Sequence, residues 1–428
     1  SAMFRRPDGI VDFDKSVCIG CKACMAACPY DAIFINPEDH SAEKCNFCAH
    51  RIDRGLEPAC VVVCPVEAIL VGDLHDPASK VAQVVQREAV SVRRPEKETR
   101  PKLFYKGAHQ ATLDPLAARR PAGGIFMWSE QGDVSHGVAS GAPGPWNSSA
   151  AALLAYDVPH RAPWDWRVGL YTWTKSIAAG AYLAALLLVL VGLLGWTSPL
   201  WLWAAPLLSG VFLAATGLVL IWDLEHPLRF PLIFLRPQWR SWLVRGAVAI
   251  TGYGAVLGVT VLASLAGLET PQRWLALAGA PLAVATAVYT GYLFAQAKAR
   301  DLWQSPLLPP HLLVQALLAG SAALLPFALW LDDEVARPLS WTLGIAATVH
   351  LLAVAGEVTL THPTAHARLA VHELVRGRYA APFWASVGLV AVAIAAPWIG
   401  VVAAPLALLG LFLYEHAYVQ AGQAVPLA

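Results

Sequence analysis

Charge is scarce in this chain. Only 14% of its 428 residues are Asp, Glu, Lys or Arg, and the mean hydropathy is +0.50. That shortage excludes an ordinary soluble globule and points to the membrane class. A net charge of +1 offers no basic surface for nucleic acid. Cysteine is missing from most of the sequence, since all eight lie between Cys18 and Cys64. Disulfide staples belong to short secreted chains; here the cysteines stand at metal-ligand spacings and say nothing of a redox compartment. The opening SAMFRRPDGIVDFD holds no apolar run of the kind a secretory signal carries, and position 1 is not Met.

What is present falls into three regions. Residues 1–75 hold the cysteines. Residues 76–170 are polar and rich in Pro and Gly, as in VRRPEKETRPK, RRPAGG and SGAPGPWNSS, which predicts an extended connector with little core. Residues 171–428 are strongly apolar. Eight apolar spans can be marked there, at 176–196, 200–222, 242–268, 274–297, 311–330, 339–359, 380–396 and 398–418. Most reach the ~20 residues a helix needs to cross a ~30 Å hydrocarbon layer. Tryptophans gather at their ends (Trp196, Trp201, Trp203, Trp222, Trp242, Trp274, Trp303, Trp330, Trp341 and Trp398), as an interfacial aromatic belt would require.

Loop charge predicts the orientation. The side of the cysteine region carries Arg161, Arg167, Arg229, Arg236, Arg240, Arg245, Lys298, Arg300, Arg368, Arg376 and Arg378. The opposite side carries only Arg273 and Arg337. The positive-inside rule then puts the cysteine region and both termini in the cytoplasm of a cell-membrane protein. A basic face that docks an iron–sulfur domain would give the same asymmetry.

The cysteines form two runs. The first is Cys18, Cys21, Cys24 and Cys28-Pro29, at C-x2-C-x2-C-x3-C-P; the second is Cys45, Cys48, Cys60 and Cys64-Pro65. Four thiolates per cubane is what a 4Fe–4S cluster needs, and in two-cluster ferredoxins the fourth cysteine of each run serves the other cluster. One cluster is therefore expected on Cys18, Cys21, Cys24 and Cys64, the other on Cys45, Cys48, Cys60 and Cys28. Structural zinc is the plain reading of any CxxC pair, but zinc has no need of this spacing. CPYDAIF (28–34) repeats as CPVEAIL (64–70), and Ser1-Ala2-Met3-Phe4 aligns with the tails of both. The repeat predicts that a third Cys-Pro, and an upstream ferredoxin half, precede Ser1.

These residues carry a resemblance. CIGCKACMAACPYDAIF with KCNFCAHRIDRGLEPACVVVCPVEAILVGDLHDP resembles the second half of four-cluster electron-transfer subunits of molybdopterin oxidoreductases, and TRPKLFYKGA (99–108) resembles the tail of that family. LYTWTKSIAAGAY (170–182), WDLEHPLRF (222–230), YTGYLFAQAKARDLW (289–303) and SPLLPPH (305–311) resemble the NrfD-like membrane anchors of polysulfide reductase. The resemblance implies an α+β ferredoxin-like domain followed by an all-α membrane domain, its eight helices in two four-helix bundles. It implies a quinone site (menaquinone or ubiquinone) near the iron–sulfur face, without haem. It also implies a separate catalytic subunit, of molybdopterin type, as the partner.

Quinone reduction takes two electrons and two protons, so the site needs hydrogen-bond donors and a proton path. Ionisable groups inside membrane spans are costly and are candidates by default. They are Lys175, Asp223 with His226, the face Tyr289–Tyr292–Gln296, and His350 with Glu357. Each has a plain alternative: Lys175 snorkels to the interface, Asp223 pairs with Arg229 or Arg245, His226 caps a helix, the tyrosines pack, and Glu357 is a satisfied hydrogen-bonder. Match to the family stretches favours Lys175, Asp223 and Tyr289. The expected function is electron transfer between the quinone pool and the partner. Its rivals are a redox-driven proton pump, with Glu357, His350 and Asp223 as relay, and an anchor without a quinone site.

Overall fold

A computed structural model describes residues 2–109, 113, 162–425 and 427. The molecule divides into two units, 1–161 with 426–428, and 162–425.

The first unit is built from short elements. β1 (Met3–Arg5) pairs antiparallel with β2 (Val11–Phe13), and β3 (Phe34–Ile35) pairs with β4 (Ala42–Glu43), in the registers Met3↔Phe13 and Phe34↔Glu43. Between them lies α1 (Ala23–Ala27), and after them α2 (Ala49–Ile52) and α3 (Ala59–Val62). Elements this short enclose only a small core, centred on Cys18, Cys28, Ile33 and Ala42. Polar ties supplement it: Lys15 Nζ reaches Asp39 at 2.7 Å and Glu43 at 2.8 Å, and Arg6 binds Asp53. Lys15, and after it the Asn36 amide, hold the Glu43 carboxyl below its ordinary range.

The expected extended connector is in part regular. α4 (Lys80–Arg87) buries Ala82, and β5 (Val90–Ser91) pairs with β6 (Tyr105–Lys106). The period-3.6 pattern of Val81, Val84 and Val85 gives α4 an apolar side that the Pro and Gly content of the wider region had masked. The rest of the predicted connector, 110–112 and 114–161, lies outside the described residues.

The second unit is helical. α5 (Trp166–Leu190) is followed by a wide turn over Leu200–Ala204, α6 (Ala205–Trp222), the single turn α7 (Leu232–Leu235), α8 (Trp242–Leu265) and α9 (Glu269–Gln296). Then come α10 (Leu308–Leu331), α11 (Asp333–Thr359), the polar-sided α12 (Ala365–Val375), α13 (Ala380–Ala393), α14 (Ala396–Ile399) and α15 (Ala403–Gln423). Among the described residues, seven helices are long and apolar enough to cross a membrane, where the sequence reading expected eight. The 14 residues of α13 rise only about 21 Å, short of the ~30 Å layer.

Several span ends differ from the sequence expectation, two of them for a clear local reason. α5 starts ten residues earlier than position 176 because Asp165 caps it, its carboxylate accepting from Arg167 N at 2.9 Å. The last helix begins at Ala403 rather than 398 because Gly400, at φ 62°, breaks the backbone path, and it runs on to Gln423. The tryptophans also divide. Trp222, Trp274, Trp330, Trp341 and Trp398 are exposed on helix ends, but Trp201 and Trp303 are buried inside.

α5 is the axis of this unit, with 78% of its apolar stretch buried, against 22% for α8. It packs on α6, α9, α10 and α15. Its contact with α10 is backbone to backbone at Gly180 and Gly320. A Cβ on Gly180 would stand 1.7 Å from Ala316 O, and one on Gly320 would stand 1.8 Å from Gly180 C. Small residues at such a crossing let apolar helices approach closely where lipid offers no competing hydrophobic drive.

Candidate functional site

The cysteine runs share a backbone device as well as a spacing. The residue before the second cysteine of each run, Gly20 (φ 70°) or Phe47 (φ 59°), has left-handed φ. So does the acid of each Cys-Pro-x-acid repeat, Asp31 (φ 51°) and Glu67 (φ 48°). Left-handed residues turn successive N–H groups inward, forming concavities that suit anionic sulfur. Two such donors already point at thiols, Ala42 N to Cys18 Sγ at 3.4 Å and Ala68 N to Cys64 Sγ at 3.1 Å. The second, with Val66, draws the Cys64 thiol below its ordinary range. Burial pushes the Cys24 thiol up to about 12, and the neighbouring Cys21 and Cys18 add to that. Thiols crowded in this way would gain from a bound cation, which lets them ionise. Among the described residues no three His, Cys, Asp or Glu side chains close on a point for one metal ion. Cys18 and Cys28 are buried, whereas Cys45 and Cys60 are exposed.

In the helical unit, Lys175 is completely buried on α5. It does not snorkel. Its ammonium donates to Ala287 O at 2.7 Å and Thr290 Oγ1 at 3.0 Å, both on α9, and lies 5.3 Å from the centre of the Tyr289 ring. Gly246 on α8 makes room for that ring, since a Cβ there would come within 2.2 Å of it. The Tyr289 hydroxyl is buried and has no hydrogen-bond partner among the described residues. Lys175 and Tyr289 are therefore brought together, as expected.

Asp223 at the end of α6 is buried and ion-paired with Arg167 of α5, 3.3 Å away, rather than with Arg245. Arg245 instead donates to Trp239 O and lies on the Trp242 ring. The other residues of the expected Tyr289 face have structural work. Tyr292 is exposed and stacks on Trp242 at 4.3 Å, while Gln296 ties the entry of α8 through Arg240 O and Trp242 N. His226 is half-buried where the short turn Pro227–Arg229 begins, and its side chain does not cap that turn.

His350 and Glu357 on α11 do not bond to one another. His350 Nδ1 and His311 Nε2 of α10 are 2.9 Å apart, and Tyr414 of α15 packs on both rings. Glu357 Oε1 is buried without a partner among the described residues.

Three buried residues escaped the sequence reading. Tyr171, one turn before Lys175, lies within electrostatic reach of Tyr289, Asp223 and Glu415. Glu415 on α15 is buried, and its Oε1 accepts from Ser176 Oγ at 3.2 Å. His311 joins His350. Glu415 falls inside the expected last span, 398–418, so the rule that ionisable groups inside spans are candidates could have found it.

The arrangement holds a fixed cation and an unpartnered phenol in one buried place, close to an acid. These are groups that could donate to two carbonyl oxygens and hold a proton.

Both parts of the molecule have relatives among known proteins. Residues 1–74 match the 4Fe-4S dicluster domain, and residues 157–426 match the family described as Polysulphide reductase, NrfD. The B component of tetrathionate reductase from Salmonella typhimurium is 46% identical over 132 residues, which is 30% of this sequence and 51% of that protein. The B component of polysulfide reductase from Wolinella succinogenes is 43% identical over 104 residues, 24% of this sequence and 54% of the relative. Protein NrfC of Escherichia coli is 40% identical over 97 residues, 22% of this sequence and 44% of the relative. The chain spans about half the length of such relatives. The apolar match takes in more than half of the present sequence, which therefore belongs to the NrfD polysulphide reductase family, with an iron–sulfur dicluster domain fused ahead of its multi-pass helical part.

Proposed function

We propose that the protein carries electrons between the membrane quinone pool and a separate catalytic subunit of molybdopterin type. The observation that carries this reading is the fusion itself: a dicluster domain and an NrfD domain in one polypeptide, the latter with Lys175 and Tyr289 buried side by side. Reductase components among the relatives support the partner.

When bound, the clusters supply one-electron storage and transfer. Cys18, Cys21, Cys24 and Cys64 would hold one, and Cys45, Cys48, Cys60 and Cys28 the other. Removing one ligand of either set, as in Cys24→Ser, is expected to lower bound iron from about eight towards about four per polypeptide.

The helical part supplies the quinone site. Lys175 is held rigidly by two acceptors, so its remaining proton has one direction to point. Tyr289 presents a hydroxyl with no other partner among the described residues. Together they orient the two oxygens of a quinone headgroup, while Asp223, neutralised by Arg167, sets the field at its edge. In this reading α13 serves as an eighth, shorter span, and the helices form two groups of four. The basic loops put the iron–sulfur domain and both termini on the cytoplasmic side.

The test is quinol-driven reduction of the clusters, followed by EPR in the purified full-length protein. Lys175→Met and Tyr289→Phe should each slow it by on the order of a hundredfold, with dithionite reduction unchanged. Asp223→Asn should slow it less. Unchanged rates in all three single variants would sink the assignment of the site.

A further inference from the structure

We propose that Glu415 is a proton-carrying residue. It links the Lys175–Tyr289 pocket to a second buried polar group, His311–His350–Glu357, across the contact between the two halves of the helical unit. The proposal rests on the quinone reading above and extends it to the path of the protons.

Glu415 lies on α15, which packs on both α5 and α10. On one side its Oε1 accepts from Ser176, the residue next to Lys175. On the other, its neighbour Tyr414 sets its ring 4.9 Å from that of His350 and 5.6 Å from that of His311. The two imidazoles stand within hydrogen-bond distance, 2.9 Å from nitrogen to nitrogen. Glu357 follows His350 by two turns of α11 and acts electrostatically on both Tyr414 and Tyr418. The titratable groups around Glu415 are thus Lys175 and Tyr171 from α5, Tyr414 on its own helix, and Glu357 and the histidine pair beyond.

The second observation concerns satisfaction. Glu415 Oε2, His350 Nε2, Glu357 Oε1 and Gln315 Oε1 are all buried with no hydrogen-bond partner among the described residues. Buried polar atoms are normally paired, and exceptions mark bound water or a functional role. Four on adjoining helices α10, α11 and α15, in an otherwise apolar unit, form a seam of acceptors. Such a seam suits protons passed between carboxylate, water and imidazole. Purely structural carboxylates at this depth would be fully paired.

The balance is simple. Oxidation of one quinol to quinone releases two electrons and two protons. The electrons leave toward the iron–sulfur domain. Each proton passes to the Glu415 carboxylate, which becomes neutral. It then moves through water to His350 Nε2 and on to Glu357, restoring each group before the next arrives. Quinone reduction runs the same path backwards. Asp223, held by Arg167, has no place in this path.

The experiment is infrared difference spectroscopy of the purified full-length protein, with redox change driven by a short-chain naphthoquinol or benzoquinol. A carboxyl C=O band that shifts in D2O should appear, vanish in Glu415→Gln and move in Glu415→Asp. Quinol-driven cluster reduction should fall by about tenfold or more in Glu415→Gln and recover in part in Glu415→Asp, with dithionite reduction unchanged. Glu357→Gln should slow the second turnover more than the first, and serves should Glu415→Gln fail to assemble its clusters. A band and rate that survive in both glutamine variants overturn the proposal. If the unaltered protein shows no quinol-driven signal, the quinone reading itself fails. If it shows that signal without a carboxyl band, only the relay does.

Discussion

The two halves of the helical unit meet at Gly180 and Gly320, yet they bury different chemistry. The first half, α5 to α9, buries a lysine pinned by Ala287 O and Thr290 beside the Tyr289 hydroxyl, itself unpartnered among the described residues. The second half, α10 to α15, buries two imidazoles and two carboxylates and leaves several of their atoms unmet among the described residues. A satisfied charge is pinned and can only orient what approaches it. An unsatisfied one gains from any proton or water that arrives. The contrast assigns positioning to the first half and transfer to the second.

The largest way to break this comparison is to force the halves apart. Gly320→Leu puts a branched side chain where the Gly180 carbonyl carbon already stands, at a site that cannot collapse around it. The expected outcome is loss of the folded helical unit, read as aggregation in detergent by size exclusion, with iron still bound to the cysteine domain. A monodisperse variant with full quinol-linked reduction would show that the Gly180–Gly320 crossing is not what joins the halves.

How far these features can be read from sequence differs between the same regions. The cysteine spacing is local, so two cluster sites and their internal repeat could be read without a fold. Helix lengths follow from apolar run length, which is also local. The pairing of His311 with His350 joins residues 39 positions apart on consecutive helices and depends on tertiary packing. Asp223 illustrates the same limit. Arg167, 56 positions earlier in the sequence, reaches it from the capped start of α5, a pairing that only the fold shows. Glu415 stood inside the expected span 398–418, but its tie to Ser176 joins helices far apart in sequence and becomes visible only in the fold.

A smaller test sharpens the claim that the first half positions. Lys175→Arg keeps the charge but replaces a compact ammonium with a planar fork, which two acceptors on one helix face do not match. Quinol-driven cluster reduction should fall by about tenfold or more despite the retained cation. Retention of the rate in Lys175→Arg would mean that charge alone matters there, and the two halves would no longer differ in kind.

The smallest effect belongs to Ser176→Ala. Ser176 donates the hydrogen bond that Glu415 Oε1 receives, so its loss leaves a second carboxylate oxygen unmet. A hydrogen bond to a carboxylate is worth about 1.5–3 kcal/mol when fully buried, so the variant should remain folded. The bond acts on one of the two oxygens that would share the carried proton, so removing it changes the surroundings of the C=O group. If Glu415 carries protons, its infrared band should shift and strengthen while cluster reduction changes only a few-fold. If Glu415 is only a brace between α5 and α15, Ser176→Ala should lower thermal stability and leave the band where it was. The same substitution therefore separates a carboxylate that transfers from one that merely packs.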